Sequence, residues 1–110
     1  MITKSGEIIS ELIGKASVDG VFFNHSLARI VIPPGKSSSL HYHKKSQETY
    51  YILQGEGLLV VDGESYVLHP GTACNIQPGE NHRIENQGSV DLEFLAICAP
   101  AWVAEDSFEV

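Results

Sequence analysis

From residue 26 onward the chain alternates short apolar runs with clusters of turn-forming residues. Ser26–Ile32 (SLARIVI) is rich in aliphatic and β-branched side chains and stops at Pro33-Pro34-Gly35. Residues 49–53 (TYYIL) stop at Gln54-Gly55-Glu56-Gly57, and residues 58–61 stop at Asp62-Gly63-Glu64. Residues 65–68, 73–76 and 82–85 end in turn at His69-Pro70-Gly71, Pro78-Gly79-Glu80-Asn81 and Asn86-Gln87-Gly88-Ser89. Residues 90–98 alternate in part and halt before Pro100. Short strands with turn signals this regularly spaced predict an all-β sandwich, jelly roll or barrel. Asp-Gly between two apolar runs predicts a tight hairpin at 62–63. No stretch after residue 20 keeps helical periodicity for three turns.

The two ends are less definite. Residues 7–13 place apolar side chains at i, i+1, i+4 and i+5, which fits an amphipathic helical turn as well as a short edge strand. Residues 105–110 (EDSFEV) read as an acidic surface tail. With no repeat, low-complexity tract or linker, the 110 residues are expected to form one domain, with residues 1–20 as an N-terminal arm.

Composition narrows the function classes. A formal charge of −7 argues against a partner read through its phosphate backbone, so no nucleic-acid binding is expected. No apolar run approaches the ~18–20 residues of a membrane-spanning helix, and the N-terminus lacks the apolar core of a secretory signal. The two cysteines, Cys74 and Cys98, have neither redox-motif nor zinc-knuckle spacing. They read as reduced core thiols, and the expected location is cytoplasmic.

Histidine placement is the most informative feature. His41 and His43 flank Tyr42, and residues two apart on a strand share a face with Cβ atoms roughly 7 Å apart. Two imidazoles at that spacing can converge on one ion at ~2.0–2.1 Å each. Glu48 lies at an odd offset from His43, so it joins them only if the chain bends within Lys44-Lys45-Ser46-Gln47. A fourth ligand must come from another strand, and His82, just past the Pro78-Gly79 turn, is the natural candidate. His25 and His69 read as surface or turn histidines.

Taken together, these residues resemble the cupin family. Gly35, His41, His43, Glu48 and Gly55 fit its first motif, G-x5-H-x-H-x3–4-E-x6-G, over residues 35–55. Gly71, Gly79, His82 and Asn86 fit its second, G-x5-P-x-G-x2-H-x3-N, over residues 71–86, with Gln77 where proline is usual. Fifteen residues separate the motifs, as in small microbial cupins. A weaker similarity links Leu40-His41-Tyr42-His43, the run His82-Arg83-Ile84-Glu85-Asn86 and Leu92-Glu93-Phe94 to the cupin half of mannose-6-phosphate isomerase/mannose-1-phosphate guanylyltransferases.

The resemblance implies a single-domain cupin-type jelly-roll barrel with few or no helices. It also implies one divalent metal ion (Fe, Mn, Ni, Cu or Zn) held by His41, His43, Glu48 and His82. Parity along the strands then predicts Ile30, Ile52, Ile84, Phe94 and Ala96 as pocket lining and Tyr50 as the one inward-facing proton donor, a candidate catalytic residue. Such a pocket suits a small oxygen-bearing metabolite that chelates the metal. The expected activity is that of a non-haem-metal oxygenase, isomerase or lyase. A non-catalytic binding or sensor module and a mannose-6-phosphate isomerase-like enzyme are the alternatives. Relatives of this size imply a homodimer with N-terminal strands exchanged, which Ile8-Ile9 and Leu12-Ile13 would suit.

Overall fold

In a computed structural model the chain is described over residues 1–14 and 24–110. Ten strands are present among these residues. In chain order they are β1 (Ile8–Ile13), β2 (Ser26–Ile32), β3 (His41–His43), β4 (Gln47–Gln54), β5 (Gly57–Val61), β6 (Glu64–Leu68), β7 (Ala73–Ile76), β8 (His82–Asn86), β9 (Leu92–Ala99) and β10 (Ser107–Glu109). A single 3₁₀ turn covers Ala104–Asp106. The strands form two five-stranded antiparallel sheets, ordered β1-β2-β9-β4-β7 and β10-β3-β8-β5-β6. The all-β expectation holds, and seven of the sequence-predicted apolar runs correspond to β2 and β4–β9.

Period-two alternation explains the interior. Along β9, Leu92, Phe94, Ala96 and Cys98 are buried and the residues between them are not. Cross-strand register lines these residues into rows across the first sheet. One row joins Ser26, Cys98, Glu48 and Ile76, and the next joins Ala28, Ala96, Tyr50 and Cys74. Below them, Ile30 and Ile52 flank Phe94, and Ile32 faces Leu92. The inner surface therefore grades from a polar end to an apolar base. Ile32, Ile52, Leu92 and Phe94 are fully excluded from solvent there and pack with Ile84 and Leu59 of the second sheet. That base supplies most of the apolar burial, and hence most of the driving force for folding.

Turn chemistry agrees with the strand breaks. Asp62 and Gly63 have φ of 47° and 85°, the pair of positive values a two-residue β-hairpin requires, and join β5 to β6 in register. Gln77, where the family motif has proline, keeps an N–H that donates to Glu80 Oε1 at 2.7 Å, while the Glu80 N–H donates to the Gln77 carbonyl. The side-chain bond thus braces the turn that a proline ring would otherwise stiffen.

Two expectations at the ends resolve differently. Residues 8–13 are a strand, pairing with β2 from Ile8↔Val31 to Ile13↔Leu27 with a register shift between Glu11 and Ile13. Ladder bonds at a sheet edge offset the ordering of a short segment that is too brief to be helical alone. Residues 15–20 of the predicted N-terminal arm lie outside the described residues. The predicted acidic tail is corrected: Asp106 is buried, and residues 107–109 form β10 against β3.

Candidate metal centre

Local sequence places each candidate ligand at the polar end of the fold. His41 and His43 sit on β3, His82 opens β8 and pairs with His41 across the ladder, and Glu48 is the second residue of β4. The bend that Glu48 needs is a change of sheet, since β3 and β4 belong to different sheets. Asp106 holds that corner. Its carboxylate accepts the backbone N–H groups of Lys44, Lys45 and Ser46 at 3.0–3.2 Å. Burial opposes ionisation of Asp106, and these backbone donors outweigh it, keeping its carboxyl below the ordinary range.

The four predicted ligands converge. One donor atom from each of His41, His43, Glu48 and His82 lies within 4.8 Å of all the others. His82 Nε2 is 3.1 Å and His43 Nε2 3.6 Å from Glu48 Oε1. The His41 ring centroid lies 4.2 Å from that of His82 and 5.1 Å from that of His43. His43, Glu48 and His82 are buried, and His41 is half-buried facing the cavity.

The donor chemistry fits a cation. Each imidazole turns Nδ1 to a backbone carbonyl: His41 to Ser39 at 2.8 Å, His43 to Asp106 at 3.2 Å and His82 to Glu80 at 3.0 Å. Carbonyls only accept, so each ring carries its proton on Nδ1 and turns its Nε2 lone pair toward the cluster, the outer arrangement typical of metal-ligating histidine. His43 Nε2 is buried with no hydrogen-bond partner. With all three rings neutral, their lone pairs and the carboxylate repel one another at this spacing, and either a metal cation or a proton taken up by an imidazole relieves it.

The charges follow the same geometry. Burial would raise the Glu48 carboxyl, but its contacts with His43 and His82 hold it well below the usual carboxylate range. Burial would lower His43, and the nearby Glu48 carboxylate and the Asp106 carbonyl raise it instead. His41 is lowered, first by burial and then by repulsion from His82. Tyr50 is pushed up by burial and by the charges of Glu48 and Glu7, so its phenol stays protonated at neutral pH.

Over the cluster opens a cavity of about 480 Å³, within the ~300–1,000 Å³ range of small-molecule sites. Of the predicted lining, Ile30 and Ala96 reach it, and Tyr50 faces it. Ile52, Ile84 and Phe94 are a correction: each is fully buried and none lines the cavity, although Ile52 and Phe94 share a row with Ile30. Parity places a side chain on the inner face but does not say which inner side chains neighbouring ones cover. His25 and His69 are exposed and outside the cavity; His69 pairs with Glu56 at 3.5 Å. Cys74 and Cys98 are free thiols, as expected.

Several side-chain roles at the site were missed in the sequence. The Cys98 thiol donates to Glu48 Oε2 at 3.3 Å, Trp102 lines the cavity, and Glu7 faces it from just before β1. Glu7 and Ile9 share strand parity, a signal legible only once β1 is known to be a strand. Asp106 had no signal at all, being one acid among several near the C-terminal end.

Comparisons with known proteins agree with this architecture. The family model described as "Cupin domain" matches residues 28–98. An uncharacterized protein of Methanocaldococcus jannaschii is 41% identical over 106 residues, covering 96% of this chain and 83% of that protein. An oxalate-binding protein of Thermotoga maritima is 39% identical, covering 88% of this chain and 92% of that one. A Thermotoga maritima crystal structure described as a predicted oxalate decarboxylase superimposes with a TM-score of 0.66 at 44% identity, over 68% of this chain and 65% of that one. A mannose-1-phosphate guanylyltransferase of Klebsiella pneumoniae is 33% identical over 78 residues, 71% of this chain but 17% of that enzyme. Because the match spans all four converging side chains and most of both sheets, this chain belongs to the cupin family.

Proposed function

We propose that this protein is a metal-dependent cupin that acts on, or holds, a small oxygen-bearing metabolite at the cluster of His41, His43, Glu48 and His82. The observation carrying this reading is the convergence of four donor atoms within 4.8 Å beneath an open cavity. A divalent ion bound there (Fe, Mn, Ni, Cu or Zn) supplies Lewis acidity toward the oxygens of a chelating ligand. Around it, the chain's own residues exclude water with Ile30 and Ala96. Tyr50 holds a proton on Oη beside the ligand space, which suits oxygenase, isomerase or lyase chemistry.

Two other readings are favoured by specific relatives. The oxalate-binding relative supports a module that holds its ligand without turnover. The guanylyltransferase relative supports a sugar-phosphate isomerase, but among the described residues lining the cavity Lys4 is the only lysine or arginine to meet a phosphate. No helix among the described residues is long and apolar enough to cross a membrane. A cytoplasmic homodimer completes the proposal.

The test is metal content by elemental mass spectrometry, beside a His43→Ala variant. One equivalent in the wild type and loss in the variant support the site; no uptake by either on reconstitution overturns it. Oxygen uptake by the iron-loaded protein with β-diketones, catechols and thiols then separates the oxygenase reading from the binding one.

A further inference from the structure

Beside Glu48 the inner face of the first sheet is shallow. The β2–β9 ladder sets Ser26 opposite Cys98 and Ala28 opposite Ala96, and the β4–β9 ladder sets Glu48 beside Cys98 and Tyr50 beside Ala96. Two neighbouring strands thus carry four small side chains at successive inward positions, and all four line the cavity. Strands lie about 4.8 Å apart and same-face residues about 6.8 Å apart, so this floor measures roughly 5 by 7 Å. That is close to the footprint of a six-membered ring lying flat. Larger side chains border it, Tyr50 on β4 and Ile30 at the next inward position of β2.

The two ends of the upper row supply the chemistry. At one end Glu48 adjoins the floor directly, since the Cys98 thiol donates to its Oε2 at 3.3 Å. A ring on the floor therefore has its rim one strand from the donor cluster, where His43 Nε2 is buried without a hydrogen-bond partner. At the other end stands Trp102. Its N–H donates to Ser26 Oγ at 2.9 Å, and the buried Ser26 side chain points inward, so Trp102 is anchored on the cavity side of the sheet. A second bond, from Ser46 Oγ to the Pro100 carbonyl at 2.8 Å, holds the same segment over the strand ends. Trp102 lines the cavity, is 38% exposed and pairs with no other ring among the described residues. An indole left open in this way gains from a flat π-system beyond the area it covers, a gain that a saturated ring does not offer.

Resting on the metal-site reading above, we propose that the cavity takes a ligand built on a planar six-membered ring bearing a pair of chelating oxygens. The oxygens address the cluster of His41, His43, Glu48 and His82, the ring lies on the floor of Ser26, Ala28, Ala96 and Cys98, and Trp102 is the specificity-determining residue that stacks on it. The short floor side chains make room for a ring, and Trp102 makes the cavity select a flat one. A small aliphatic chelator with the same oxygens leaves both the floor and the indole uncovered.

The test uses the zinc-loaded chain, with zinc stoichiometry measured separately, and three hydroxamates that share one chelating group. Benzohydroxamate carries a flat ring, cyclohexanecarbohydroxamate a saturated ring of the same size, and acetohydroxamate no ring. By calorimetry the wild type should bind benzohydroxamate at least tenfold more tightly than acetohydroxamate and at least threefold more tightly than the saturated analogue. Trp102→Ala should cut the first preference at least threefold and abolish the second, while Trp102→Phe keeps both within twofold. Ala28→Leu, which raises the floor, should also cut the first preference at least threefold, and it decides alone if Trp102→Ala does not fold. Acetohydroxamate affinity should change no more than twofold in any variant, which separates loss of the ring site from loss of the metal. Smaller preferences in the wild type, or preferences left unmoved by Trp102→Ala or by Ala28→Leu, would overturn the proposal while zinc remains stoichiometric. Failure to hold zinc would instead overturn the metal-site reading, and this one with it.

Discussion

His43 Nδ1 lies 3.2 Å from the backbone carbonyl of Asp106, a residue 63 positions later, whose carboxylate in turn caps the corner that follows His43. One residue thus sets the tautomer of a candidate ligand and the change of sheet that brings Glu48 round to meet it. The C-terminal strand β10 is part of the site for this reason, since its pairing with β3 keeps Asp106 in place.

Replacing Asp106 with alanine should therefore cost about 2 kcal/mol, from the lost charge-assisted bonds to three backbone donors. Because the folded state lowers this carboxyl, its contribution is present above the unfolded pKa and is lost as pH falls through the folded value. Denaturant melts should show the full difference between wild type and Asp106→Ala near pH 7. That gap should narrow below about pH 4. A gap that persists unchanged at lower pH would mean that packing, and not the carboxylate, stabilises the corner.

Cys98 should act through Glu48. Its thiol is pushed up, first by burial and then by the neighbouring carboxylate, and so remains a donor to Oε2. Cys98→Ala should weaken zinc affinity about tenfold, the scale of an outer hydrogen bond to a ligand, while Cys98→Ser restores most of it. Competition with a chromophoric chelator reads both. Equal loss in the two variants would indicate a steric role.

Tyr50 packs its ring against Phe94, with centroids 4.7 Å apart, so Tyr50→Phe should leave the fold and zinc stoichiometry intact. If the phenol is the proton donor, kcat should fall about a hundredfold or more with little change in KM. Unchanged turnover would leave Tyr50 as a wall residue.

The outer face of the first sheet carries Leu27, Val31, Leu95 and Ile97, with Tyr51 and Leu53 more exposed beside them. These apolar side chains surround the Arg29–Glu93 ion pair at 2.6 Å on the same face, a mixed surface that suits association. Sedimentation should show a homodimer, and Leu95→Glu, which puts a charge between Arg29 and Tyr51 in the ladder, should give a monomer. A monomeric wild type would remove the dimer from the proposal.

Strand order of polarity was written in the chain. Alternation within 26–32, 49–53 and 90–98 and the turn residues between them determine an all-β fold, because each short run can bury only one face. The motif residues His41, His43, Glu48 and His82 were likewise legible, since ligand chemistry restricts both residue type and spacing. Tertiary structure decided the rest. Whether residues 8–13 became strand or helix depended on an edge of β2 far along the chain. Packing over the inner face left Ile30 and Ala96 on the cavity wall and covered Ile52, Ile84 and Phe94, which periodicity alone treats as equals. The roles of Asp106, Cys98 and Glu7 came from register between strands distant in sequence, and local pattern carries no record of which distant strand will become a neighbour.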